Sequence, residues 1–201
     1  MWFTAGMWDE RYAREGFVYG TAPNDFVAAS VGALKSPVIC LASGEGRNPV
    51  WLAEQGFAVT AVDGSQVGVD KTLKLAAERG VAVDAVQADL ADFDIGEACW
   101  GGAVITFGHL PPALRAKVHA GVVRGLRPGG ALVMEVYTPR QLGRGTGGPP
   151  VEHMLYEPDD IRRELRGLSF ERCAEIERPV VEGWAHTGTA AVLQIVGIKP
   201  G

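Results

Sequence analysis

Between Val38 and Asp63 lies a stretch whose residue types could do chemistry: an apolar strand pattern, then Ser43-Gly44-Glu45-Gly46-Arg47-Asn48, a short helical pattern, a second strand pattern and Asp63. That order describes a cradle for a nucleotide-type cofactor. Gly44 and Gly46 let the backbone turn tightly and approach a ligand, because a side chain at either would fill the space the ligand needs. Asn48 reads as an N-cap and Pro49 as the first helical residue, so free backbone N–H groups would point out of the turn. Asp63, closing the second strand, is placed to accept hydrogen bonds from both hydroxyls of a ribose. A dinucleotide fingerprint needs a third small residue to close G-x-G-x-x-G, and counted from Gly44 that position is Pro49, which weakens an NAD reading.

Such residues need strands that end along one edge of a sheet. Nearly continuous apolar runs at Pro37–Ala42, Phe57–Val62, Ala82–Gln87, Gly102–Phe107 and Ala131–Tyr137 read as parallel strands covered on both faces. Helical patterns at Pro49–Gln55, at Gln66–Arg79 (stopped by Gly80) and at Pro112–Leu126 alternate with them, which predicts a doubly wound α/β sheet. After the fifth strand, a helical stretch at Asp159–Leu165 precedes two strand patterns, Phe170–Glu177 and Thr189–Ile198, joined without a helix and therefore antiparallel. Ligands in open α/β sheets bind outside the carboxyl ends of the parallel strands. The Gly108–Pro111, Thr138–His153 and Val180–Gly188 loops, with Asp63 and Asp89, should share that side.

Composition narrows the partners. With 201 residues, 47% of them apolar, the chain suits one domain, and a net charge of −5 leaves no electrostatic footprint for nucleic acid. Cys40, Cys99 and Cys173 are too scattered for a disulfide framework or a zinc site, and no histidine pair has metal-binding spacing. Met1–Gly20 is interrupted by charges, and nowhere do about 18 apolar residues run together. A cytoplasmic protein acting on small molecules, without a membrane partner, is the expectation; monomer and homodimer both remain open.

Further segments carry a resemblance. The Val38–Gly46 pattern is similar to motif I of the class I S-adenosylmethionine (SAM)-dependent methyltransferases, with Cys40 where that motif has an acidic residue and Ala42 where it has its first glycine. Leu126-Arg127-Pro128-Gly129-Gly130 looks like the turn before strand five in the same class, and a terminal antiparallel hairpin matches its Rossmann-like seven-stranded sheet. Trp8-Asp9-Glu10-Arg11-Tyr12, Tyr19-Gly20-Thr21-Ala22-Pro23-Asn24, Gly44-Glu45-Gly46-Arg47-Asn48, His109-Leu110-Pro111, Gly147-Gly148-Pro149 and Glu182-Gly183 with His186 and Gly188 resemble a bacterial subgroup akin to the tellurite-resistance and thiopurine methyltransferases.

The resemblance implies an N-terminal cap (1–30), a SAM-binding core (37–137), and a substrate loop with hairpin (138–201). It also implies that Ala42, Ser43, Gly44 and Gly46, with Arg47 and Asn48, cradle the methionine part of SAM. Asp63, with Gly64 and Ser65, would hold the ribose. Asp89 and the Leu90 backbone would hold the adenine, and Phe107 would pass the sulfonium. Arg11 is favoured over Arg47 for the cofactor carboxylate, and Tyr19 belongs to a loop that could close over the ligand. A thiol or chalcogen acceptor attacks a sulfonium methyl unaided, whereas a hydroxyl or protonated amine needs a base such as His109 or His186. A non-catalytic metabolite-binding protein of the same fold is the alternative, with an NAD enzyme behind it.

Overall fold

The computed structural model describes residues 5–201, so the first four residues of the expected cap lie outside the described residues. The strands are β1 (Val38–Leu41), β2 (Val59–Asp63), β3 (Asp84–Gln87), β4 (Trp100–Thr106), β5 (Leu126–Tyr137), β6 (Ser169–Glu182) and β7 (His186–Ile198). They form a seven-stranded sheet in the order β3-β2-β1-β4-β5-β7-β6. Strands β1 to β5 run parallel, and β7 pairs antiparallel with both β5 and β6. The helices are α1 (Ala5–Tyr12), α2 (Asp25–Ser30), α3 (Arg47–Glu54), α4 (Gln66–Arg79), α5 (Pro112–Gly125) and α6 (Pro158–Glu164).

Two apolar cores hold the sheet between helices, and the period of two along each strand divides residues between them. Ile39 and Leu41 of β1 join Ile105, Met134 and residues of α5 and α6 on one face. Val38 and Cys40 join Val104, Val133 and residues of α2, α3 and α4 on the other. Each fully buried aliphatic side chain contributes about 1.5–3 kcal/mol, and all four β1 side chains are buried. Cys40 is thus a core residue, and burial pushes its thiol pKa up. Helix α4 stops where its sequence announces, at Gly80, left-handed at φ 69°, and at its start Ser65 caps the Gly68 N–H.

Three boundaries differ from expectation. Helix α3 starts at Arg47 with Gly46 as N-cap (φ 93°), so Asn48 and Pro49 sit inside its first turn. Asn48 does not cap because its amide is spent elsewhere: Oδ1 accepts the Asn24 N–H at 2.8 Å and Nδ2 donates to Thr106 Oγ1 at 2.8 Å. Strand β5 begins at Leu126, because the Pro-Gly-Gly turn is drawn into the sheet through Trp100 and Lys199. The expected Val180–Gly188 loop shrinks to Gly183–Ala185, since Glu182 pairs with His186 and Val180 with Gly188. Pro179 argues against a central strand, but β6 is an edge strand, where a missing N–H is tolerated.

Candidate functional site

Chain order reverses between β1 and β4: β1 leads outward to β2, β4 to β5. The loops leaving these two strands part there and open a cavity of about 870 Å3. Each strand ends on a left-handed non-glycine residue, Ala42 and Phe107, both at φ 51°. That conformation costs roughly 1–2 kcal/mol per residue, and strain of this kind clusters at functional sites. The cavity is lined by Arg11, Tyr19, Ala42, Ser43, Gly44, Arg47, Asn48, Asp63, Gly64, Asp89, Leu90, Phe107, His109 and His186.

Gly46 and Ser65 are not part of that lining. A Cβ on Gly46 would lie 2.6 Å from Thr72 Oγ1 and 2.8 Å from Thr72 Cα, so this glycine admits helix α4 rather than a ligand. Ser65 is fully buried, where it caps α4 and donates to Asp9 Oδ1 at 2.5 Å. Gly44 does line the cavity, yet a Cβ there would meet the Tyr12 hydroxyl at 3.0 Å. Tyr12 therefore sits on the cradle, stacked against Trp8.

Carboxylates mark the β2 and β3 side. Asp63 is buried; Oδ2 accepts the Gly44 N–H at 2.7 Å and Oδ1 the Ser65 N–H at 2.9 Å. Burial raises its pKa, and these backbone donors partly offset the rise. A carboxylate has about four lone-pair sites, so two donors leave capacity for a pair of hydroxyls. Asp89 is more exposed, and one oxygen closes a local turn by accepting the Ala91 N–H at 2.8 Å.

The N-terminal arm is stitched over the opposite side. Glu45 Oε2 accepts the Val18 N–H at 2.8 Å and Oε1 meets Lys71 at 2.8 Å. Arg11 Nη1 donates to the Tyr19 hydroxyl at 3.0 Å, and its guanidinium lies 5.1 Å from the Trp8 ring centroid. Behind the arm lies a buried polar cluster that single-segment reading misses. Asn24 Nδ2 donates to Glu135 Oε1 (2.7 Å) and Glu182 Oε1 (2.8 Å), Arg178 bonds both carboxylates, and Arg47 Nη2 donates to Glu182 Oε2 at 2.6 Å. The available signal was a run of ionisable residues, Glu135, Arg178 and Glu182, inside otherwise apolar strand patterns.

The two candidate bases part company. His109 Nδ1 donates to the Met154 carbonyl at 2.8 Å, and its Nε2 accepts the Tyr137 N–H at 3.3 Å. Both nitrogens are committed to backbone, and burial lowers the pKa to about 4; the ring is a strut, and the geometry gives it no free lone pair for catalysis. His186 sits among Tyr19, Phe107 and Tyr137, with ring centroids 4.5, 4.7 and 5.4 Å away. Among the described residues its Nδ1 is buried without a hydrogen-bond partner, 3.7 Å from Glu182 Oε2. Burial lowers the His186 pKa, while Glu182 pulls it back up, so the ring is neutral and able to take a proton. The Gly147–Gly148 loop roofs this corner; Cβ atoms there would lie 2.5 Å from His186 Cδ2 and 2.8 Å from Tyr137 Cδ2.

Residues 38–130, which hold the cradle, match the family described as a methyltransferase domain. No curated protein matches the chain. Among solved structures, the chain is similar to a protein described for the conversion of a disulfide bond into a thioacetal group during echinomycin biosynthesis, at 16% identity and a TM-score of 0.78, covering 98% of this chain and 91% of that one. A SAM-dependent methyltransferase from Clostridium acetobutylicum aligns over 98% of both chains at 15% identity and a TM-score of 0.67. TehB from Haemophilus influenzae aligns at 14% identity and a TM-score of 0.70, over 87% of this chain and 61% of that one. At these identities the structural likeness establishes the fold.

Proposed function

We propose that this chain is a SAM-dependent methyltransferase that passes the methyl group to a small acceptor with a soft nucleophilic atom, a thiol or heavier chalcogen, acting as one domain in a reducing cytoplasm. The observation that carries the reading is the division of the cavity. Its β2–β3 side offers Asp63, Gly64, Asp89 and Leu90, a donor and acceptor set suited to a nucleoside. Its β4–β5–β7 side offers Phe107, Tyr137 and His186, with Tyr19 on the arm. At about 870 Å3 the cavity lies near the top of the usual range for small-molecule sites, room enough for cofactor and acceptor together.

The bound cofactor supplies a sulfonium methyl group. In this reading Asp63 holds the ribose, Asp89 and the Leu90 N–H hold the adenine, and Ala42–Gly44 with Arg11 hold the amino acid end. Phe107, Tyr19 and the Gly147–Gly148 roof exclude water, which favours an in-line displacement by holding the acceptor against the methyl carbon. Glu182 stands behind the aromatic side and is not part of the cavity lining, so a protonated amine finds no counter-charge from it. A thiolate or chalcogen anion attacks without a base, and an acceptor that enters as the neutral thiol, whose proton must leave as the thioether forms, gives that proton to His186. Cys40 and Ala42, the two departures from motif I, do not argue for a non-catalytic binder: Cys40 faces the core, and Ala42 adopts the left-handed turn itself.

An acceptor screen with radiolabelled SAM, covering thiols, thiopurines and oxyanions of tellurium and selenium, tests the reading. Labelled thioether or methylated chalcogen is expected. Labelling confined to hydroxyls or amines would overturn the acceptor class, and tight SAM binding with no labelling of any acceptor would favour the binding-protein alternative.

A further inference from the structure

The β6–β7 hairpin places a carboxylate directly across from the cleft histidine. Glu182 and His186 are register partners at the end of the ladder, closed by the three-residue turn Gly183–Ala185. The turn cannot drift, because Gly183 lies against the arm so closely that a Cβ would fall 2.2 Å from the Val18 carbonyl oxygen. Nor can the carboxylate swing: Oε1 accepts from Asn24 at 2.8 Å and from Arg178 at 3.1 Å, and Oε2 accepts from Arg47 at 2.6 Å. Asn24 is fixed in turn by its own cap on α2 and by Asn48. Three elements thus aim one buried anion at a ring nitrogen that has no other partner among the described residues.

We propose that Glu182 is the positioning residue of the site: held by Arg47, Arg178 and Asn24, it keeps the His186 proton on Nδ1 and leaves Nε2 as the proton acceptor of the cleft. The inference rests on the reading of His186 as the group that takes the acceptor's proton. With a fixed anion 3.7 Å from Nδ1, a proton on that nitrogen is attracted and a lone pair there is repelled, so the Nδ1–H tautomer is selected. The step then balances. The acceptor's proton moves to Nε2, its electron pair forms the bond to the methyl carbon, and the pair of the broken carbon–sulfur bond stays on sulfur. The imidazolium is neutralised by Glu182 until the proton leaves to water.

The other groups facing His186 set the background rather than the tautomer. Arg47 on α3 and Arg11 on α1 disfavour its charge. Tyr19 on the arm and Tyr137 on β5 pack against the ring. His109, whose nitrogens are committed to backbone, stays neutral.

Long-range proton–nitrogen NMR correlation on the cofactor-free protein, with His186 assigned through His186→Gln, reads both parts. The wild type should show His186 protonated at Nδ1 with a bare Nε2; an Nε2–H tautomer overturns the proposal without any need for a variant of Glu182. In Glu182→Gln, loss of the anion should lower the His186 pKa by about 1–3 units, and an unchanged pKa overturns the proposal equally. If Glu182→Gln fails to fold, the wild-type tautomer decides alone. Neither measurement involves SAM or an acceptor, so a failure here is distinct from failure of the enzyme reading, which shows in cofactor binding and methyl transfer.

Discussion

Replacing Gly46 by alanine separates two explanations of the glycine-rich turn. If the glycine exists to admit a ligand, Gly46→Ala should weaken cofactor binding and leave the empty protein's stability alone. Its surroundings say the reverse. At φ 93° an alanine is left-handed, and its Cβ would stand 2.8 Å from both Cα and Cβ of Thr72. Contact with a backbone carbon cannot be relieved by a rotamer, so α3 and α4 must part. Left-handed strain of about 1–2 kcal/mol and overpacking of about 1–3 kcal/mol sum to roughly 2–5 kcal/mol. For a chain of this size each kcal/mol moves Tm by about 2–4 °C, so a fall near 10 °C is expected. Thermal unfolding of the cofactor-free protein, followed by circular dichroism, measures it. Thr72→Ala should rescue little, because the Cα and Cβ contacts remain. A Gly46→Ala protein that melts within about 2 °C of wild type but binds SAM poorly would refute the packing argument.

Acid should unfold the protein through Glu182. Burial alone would raise that carboxyl, but the His186 and Arg47 contacts outweigh it and hold the pKa down at about 2, against an ordinary 4.5. A depressed carboxylate pKa stabilises the fold above the unfolded value and is lost as pH falls through the folded one; the stability curve should therefore drop between pH 4.5 and 2, more shallowly in Glu182→Gln. The roof over the acceptor corner depends on Gln141, which donates to Thr146 Oγ1 and the Gly147 carbonyl and accepts the Ala191 N–H. Gln141→Ala should raise KM for the acceptor by roughly tenfold, about 1.4 kcal/mol, and change the SAM Kd much less; an equal rise in both would disprove a role confined to the roof.

Patterns with a local cause were legible. The strand alternation, Gly80 at the end of α4, and the antiparallel hairpin each follow from nearest-neighbour chemistry. What escaped was set by tertiary partners. Asn48 has the composition of a cap, yet Asn24 and Thr106, distant in sequence, claim its amide first. His109 follows a strand like a catalytic base, and only the arrival of Met154 and Tyr137 shows both nitrogens occupied. Charged residues in β5 and β6 find their partners only in the fold, the Arg178–Glu135 pair closing across 43 residues of separation. Gly46 was legible as a requirement for glycine, and its cause, helix α4 rather than a ligand, was not.

The central claim is that the cavity between β1 and β4 binds SAM through the carboxylate at the end of β2. Calorimetric titration with SAM and with S-adenosylhomocysteine tests it most directly. One equivalent of each should bind, with Asp63→Ala weakening both by more than about tenfold, roughly 1.4 kcal/mol. No heat with either ligand at millimolar concentration, or unchanged affinity in a folded Asp63→Ala protein, would contradict it.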